Sequence, residues 1–269
     1  MEIIQKIGYR KIIYLLVLLT AAIPMMYPFG LPIEVSVQTR DLYNYIENLP
    51  PGSNVAINFC AYAGMYPDAQ AATRAGLIHL FRLPLNIVLW HTSSDGPMLL
   101  EKELEYVDFG GREYGQDYVF LPYVGGGEAT IAAIAENIRG VFAADFYGTP
   151  LDEIPIMNNI NEAEDFSIII TMGNAGIMDV ASIRQWTIPH GIPAGAFTIS
   201  ICYPELIPYW KTGLEVGMTN GVRGGGEYEL LIGRPGPGLK RTDVLSSVHL
   251  LYIALILIGN TEIIRRWMK

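Results

Sequence analysis

Residues 118–141 read YVFLPYVGGGEATIAAIAENIRGV, and this stretch decides the fold. Its opening run, 118–124, is apolar and bounded by glycine, with the length of a strand rather than a helix. Gly125, Gly126 and Gly127 form a tight turn, and Glu128 opens a helical stretch to about residue 141. A strand passing into a helix through such a turn is the unit of parallel sheets with crossover helices.

The unit recurs on both sides. Upstream, 54–60 (NVAINFC) is expected as a strand with a helix over 68–83, and 85–91 (LNIVLWH) as a strand with a helix over 97–115. Downstream, 166–172 (FSIIITM) leads to a helix over 180–188, and 194–201 (AGAFTISI) to a helix over 205–211. Several of these runs are apolar throughout, as strands covered by helices on both faces must be. The expected fold is α/β: a three-layer, doubly wound, mostly parallel sheet of Rossmann or flavodoxin type, with strand order 3-2-1-4-5. Residues 35–49 read as an amphipathic helix stopped by Pro50, Pro51 and Gly52. Residues 213–226 are rich in glycine and read as irregular, followed by a helix over 227–232.

Two uncharged stretches bracket this domain, IIYLLVLLTAAIPMMYPFGLPI (12–33) and VLSSVHLLYIALILIG (244–259). A bilayer core of about 30 Å takes roughly 20 apolar residues as helix, so both are expected to span a membrane, the second extending through Ile263 and Ile264. The expected layout is an N-terminal tip and anchor (1–33), an α/β domain (34–233), a Gly/Pro linker (234–242) and a C-terminal span with a basic tip (243–269). The first run is longer than a signal-peptide core and lacks a small-x-small cleavage site, which favours an uncleaved anchor. Lys6, Arg10 and Lys11 lie outside one span, and Arg265, Arg266 and Lys269 outside the other. The positive-inside rule then places both termini in the cytoplasm of a two-pass cell-membrane protein, with the domain extracytoplasmic.

The chain carries a formal charge of −9, and residues 31–242 carry −12 once the slightly basic ends are set aside. So acidic a body excludes nucleic acid as a partner. Two cysteines, Cys60 and Cys202, make no disulfide framework, and no His/Cys/carboxylate spacing suggests a metal site. No cofactor is indicated.

Ligands in open parallel sheets sit beyond the carboxyl ends of the strands. The candidate ligand-binding residues there are Cys60, Asp68, Thr92, Ser93, Ser94, Asp95, Gly125, Gly126, Gly127, Glu128, Gly173 and Asn174. The turn at Gly125–Glu128 offers helix-start amides to an anion, but it lacks the spacing of a dinucleotide fingerprint or a P-loop. The simpler reading is a tight turn with Glu128 capping the helix. Thr92 to Asp95 are likewise what a helix start requires. Cys60 and His91, ending neighbouring strands, would make a thiolate–imidazole pair if they met, although a cysteine ending a buried strand is usually inert. His249, with Ser246 and Ser247, marks a helix–helix contact inside the second span. The aromatic, proline-containing connection 145–155 is expected to cover a sheet edge or meet a partner.

Three strings, DYVFLPYVGGGE (117–128), DFYGTPLDEIPIM (145–157) and EYELLIGRPG (227–236), resemble an uncharacterised prokaryotic family of membrane proteins. In that family a Rossmann-like domain lies between two transmembrane helices. The resemblance implies architecture and no activity. The leading expectation is a non-enzymatic, membrane-anchored module that assembles as a homo-oligomer or with other membrane proteins. The alternatives are a sensory domain for a small polar ligand, or an enzyme working at the same strand edge.

Overall fold

The computed structural model describes residues 8–173 and 176–261. After an N-terminal helix α1 (Tyr9–Met26) and a short helix α2 (Val37–Glu47), the chain alternates strand and helix. The order is β1 (Asn54–Cys60), α3 (Tyr66–Arg82), β2 (Asn86–His91), α4 (Gly96–Leu104), β3 (Tyr118–Tyr123) and α5 (Glu128–Glu136). A long connection leads to β4 (Ile168–Gly173) and α6 (Gly176–Ser182), which runs on through a π-turn at Ile183–Thr187. Then come β5 (Ala194–Thr198), α7 (Tyr203–Lys211), β6 (Glu215–Asn220), α8 (Gly221–Leu231) and α9 (Pro237–Gly259).

The six strands form one parallel sheet in the order β3-β2-β1-β4-β5-β6, the doubly wound arrangement extended by a strand. Strand alternation divides the core in two. Ala56, Val88, Trp90, Val119 and Ile169 face α5 and α6. Val55, Ile57, Phe59, Ile87 and Leu89 face α2, α3 and α4. Each fully buried valine, leucine, isoleucine or phenylalanine among them contributes about 1.5–3 kcal/mol, which is why central strands apolar on both faces specify this layering.

The edges are managed differently. At the β3 edge, Phe146 N–H donates to Phe120 O at 2.8 Å, so the connection after α5 does cover a sheet edge. At the β6 edge, α2 packs so close to Gly217 that a Cβ there would lie 2.6 Å from Gln38 O. The helix expected over 97–115 ends at Leu104, and the stretch 213–226 holds β6 and the start of α8 rather than irregular chain. Pro237 starts α9 within the stretch expected as a linker, proline at the first helical turn losing no hydrogen bond.

Among the described residues, one helix, α9, is long and apolar enough to cross a membrane, and the other expected span, over 12–33, is not shown. The stretch expected as the first span is helical over Tyr9–Met26 and packs against α9.

Candidate functional site

The carboxyl ends of β1, β2 and β4 converge where the winding reverses. Gly173 turns there with φ +115°, and a Cβ on it would stand 2.5 Å from Cys60 O, so β1 and β4 close on each other through glycine. Asn174 lies outside the described residues.

The polar residues gathered at this edge mostly satisfy one another. Ser93 Oγ donates to Ala61 O at 2.7 Å and accepts from Ala61 N–H at 3.0 Å. Asp95 Oδ2 accepts from Ala63 N–H at 3.0 Å, while Ser94 Oγ reaches Asp95 Oδ1 at 3.4 Å. Thr92 Oγ1 donates to Asn58 Oδ1 at 2.7 Å. Together these bonds stitch the β2–α4 turn to the end of β1. Asp68, in the first turn of α3, is drawn away from them. It accepts from Ser200 N–H (2.7 Å), Ser200 Oγ (3.1 Å) and Val222 N–H (3.1 Å), joining the turns after β5 and β6.

At Gly125–Glu128, Thr130 Oγ1 donates to Gly125 O at 2.6 Å, and Gly126 and Gly127 take φ of +115° and +63°. Glu128 does not cap α5. It accepts from Gln185 Nε2 at 2.9 Å and pairs with Arg184 at 3.4 Å, because the segment following α6 brings two donors beside it. Cys60 and His91 do not meet either. Phe59 is registered with His91, and Cys60, one residue on, points to the opposite face of the sheet. Burial pushes the Cys60 thiol up to about 11 and the His91 imidazole down to about 4, which removes the thiolate and leaves the imidazole neutral at pH 7.

Buried acids supply what the sequence reading missed. Asp179 of α6 accepts from Thr198 Oγ1 at 2.9 Å, and burial holds its carboxyl well above the usual range. Glu215, opening β6, is buried and raised for the same reason.

A second group lies where α8 meets α9. The half-turn after α8 folds back so that Glu229 accepts from the N–H groups of Gly236 (3.0 Å), Gly238 (2.8 Å) and Leu239 (2.9 Å). Its carboxyl therefore caps the start of α9 from eight residues upstream, a favourable place for negative charge. Burial raises its pKa, and the three amides oppose that shift. Asp243 accepts from Gly30 N–H (2.9 Å) and Leu31 N–H (3.0 Å), fastening the chain that follows α1. Glu227 accepts from Ser36 N–H (3.1 Å) and Ser36 Oγ (2.6 Å) and from Arg223 Nε (2.9 Å). Glycine brings the backbones together here: a Cβ on Gly238 would lie 2.6 Å from Gly226 N. Glu227 and Glu229 lie within EYELLIGRPG (227–236), and Asp243 follows in the opening turns of α9.

Among the described residues, no group of three or more His, Cys, Asp or Glu side chains is arranged to hold a metal ion. Comparison with known proteins yields no significant match to a family model, a curated protein or a solved structure.

Proposed function

We propose that the chain is a two-pass, membrane-anchored α/β module whose work is assembly, with further copies of itself or with other membrane proteins, rather than catalysis. The observation that carries this reading is the carboxylate junction. Glu229, Asp243 and Glu227 fix α9 and the chain after α1 to the domain through backbone amides. A tethered catalytic domain needs only a flexible linker; a clamp of this kind makes domain and helices move as one body. The outward faces of the helices remain apolar and open, with Leu250, Ile253 and Ile256 exposed on α9. Positive residues outside each apolar stretch favour cytoplasmic termini and an extracytoplasmic domain.

Native mass spectrometry of the full chain released in mild detergent tests the reading. Oligomers of defined size are expected, and monomers at every concentration would overturn it. The alternative of a small polar ligand at Gly125–Glu128 has one feature in its favour: α5 starts without a side-chain cap. A rise in melting temperature with inorganic phosphate, abolished by Gly127→Pro, would favour that alternative.

A further inference from the structure

We infer that the carboxyl edge of the sheet is a membrane-facing surface, seated in the headgroup layer of the same bilayer that α9 enters. The inference rests on the anchored reading above and adds how the domain is posed on its anchor.

The path of α9 comes first. Its opening turns lie against the domain, where Gly238, Thr242 and Asp243 are buried. Arg241 Nη1 donates to Pro67 O at 2.9 Å, beside the start of α3. Beyond that point Val244 and Val248 share a cleft of about 720 Å³ with Ser200 and Asn220, which follow or end β5 and β6. Met25, near the end of α1, lines the same cleft. Both helices therefore depart from the carboxyl edge, and a bilayer around α9 must pass close to it.

The composition of that edge fits such a neighbour. Five of its six loops contain AYAGM (61–65), TSSDGPM (92–98), YVGGG (123–127), GIM (176–178) and ISICYP (199–204), and the sixth, after β6, carries Arg223. Asp95 is the one charged residue within these five strings and is bonded to Ala63 N–H, while Asp68, Arg223 and Arg241 line the cleft beside α9. Each of these five loops presents a large apolar or aromatic side chain to the outside. Ile177 and Ile201 are 73% and 75% exposed, and Met65, Met98 and Tyr123 about half. Single exposed apolar residues are ordinary on any protein surface. One from each of five loops along a single edge, on the side from which α9 departs, makes a patch of the kind that marks a membrane contact. Tyr27 and Phe29, exposed just after α1, add the aromatic belt expected at headgroup depth.

The opposite edge has the reverse character. Asp108, Glu113, Asp117, Glu162 and Glu164 sit in its connections, so the acidity of the body points away from the bilayer and its anionic surface. A molecule reaching Thr92–Asp95 or Gly125–Glu128 would then arrive from the interfacial layer rather than from bulk water.

Depth-resolved fluorescence quenching tests this on the full chain in phosphatidylcholine vesicles. Cys202→Ala removes the accessible thiol, and Cys60 is fully buried. Single cysteines at Ile177, Ile201, Ile253 and Lys211 then take a thiol-reactive fluorophore. Lipids carrying a nitroxide at the headgroup should quench labels at 177 and 201 several-fold more than a label at 211, while a mid-chain nitroxide should quench 253. Labels at 177 and 201 quenched no more than 211, with 253 still quenched, would overturn the inference and leave the anchor standing. Loss of quenching at 253 would overturn the anchored reading and this one with it. An Ile177→Glu, Ile201→Glu chain, labelled at Met65, should lose much of its headgroup quenching; unchanged quenching there would also contradict the inference.

Discussion

The turn between β2 and α4 and the junction between α8 and α9 solve one problem with different chemistry. Each must satisfy backbone N–H groups where chain segments meet. At the first, Ser93 and Asp95 serve one amide apiece, Ala61 and Ala63, and Asp95 is partly exposed. At the second, Glu229 serves three amides from within the protein, and Asp243 serves two more across the chain. The difference teaches where this molecule concentrates its structural demands. The β2–α4 turn, at the edge where doubly wound proteins hold ligands, is closed by bonds that serve one amide each. The attachment of the helices is made with buried carboxylates, whose loss leaves several donors unsatisfied at once.

Replacing Glu229 is the strongest way to break the comparison. Glu229→Leu strands three amides, and a loss on the order of 3–5 kcal/mol is expected in denaturant unfolding of the detergent-solubilised chain. Glu229→Gln, which keeps an acceptor oxygen, should lose clearly less. If both cost no more than a surface change, the junction is not the anchor described here.

Acid titration follows. His79 is buried between Glu47 Oε2 at 2.6 Å and Tyr228 Oη at 2.8 Å, and burial holds its pKa down to about 4. A depressed folded pKa means that this contribution is complete above the unfolded value of about 6.5 and is lost as pH falls toward 4. The expected loss from His79 alone over that window is about 3 kcal/mol, seen as a falling melting temperature. His79→Phe should flatten the slope, with His91 supplying what remains, since it is depressed to about 4 in the same way.

The smallest effects belong to the strand edge. Ser93→Ala removes two bonds at a buried hydroxyl and should cost about 1–2 kcal/mol. Asp95→Asn, at a partly exposed site, should cost roughly 0.5 kcal/mol. A reversal of this ranking, with Asp95 worth more than Glu229, would mean that the edge carries a demand other than closing its own turns.

Much of the sheet was legible because its central strands announce themselves. Residues 54–60 and 166–172 have no polar face to offer water, so length and glycine boundaries place them. β6 was not legible: EVGMTN has two apolar side chains, and its Gly217 exists to admit the backbone of α2. α8 was hidden by Gly224, Gly225 and Gly226, which disfavour helix but let α3 and α9 approach. At the candidate edge, Thr92 to Asp95 were correctly located as the end of a strand and the start of a helix. The opposite orientations of Cys60 and His91 follow from strand register, which sequence alone leaves open. Asp68 reaching Ser200, and Glu229 capping α9, are contacts between distant or doubled-back segments, and no local pattern encodes them.

The central claim is that domain and helices form one body, and a distance distribution measures that most directly. Spin labels at Lys211, on the amino edge, and at Ile253, on α9, should give a single narrow distance in vesicles by pulsed electron paramagnetic resonance. The same pair in a Glu229→Leu chain should broaden. A broad distribution in the unaltered junction, no sharper than in Glu229→Leu, would contradict the account.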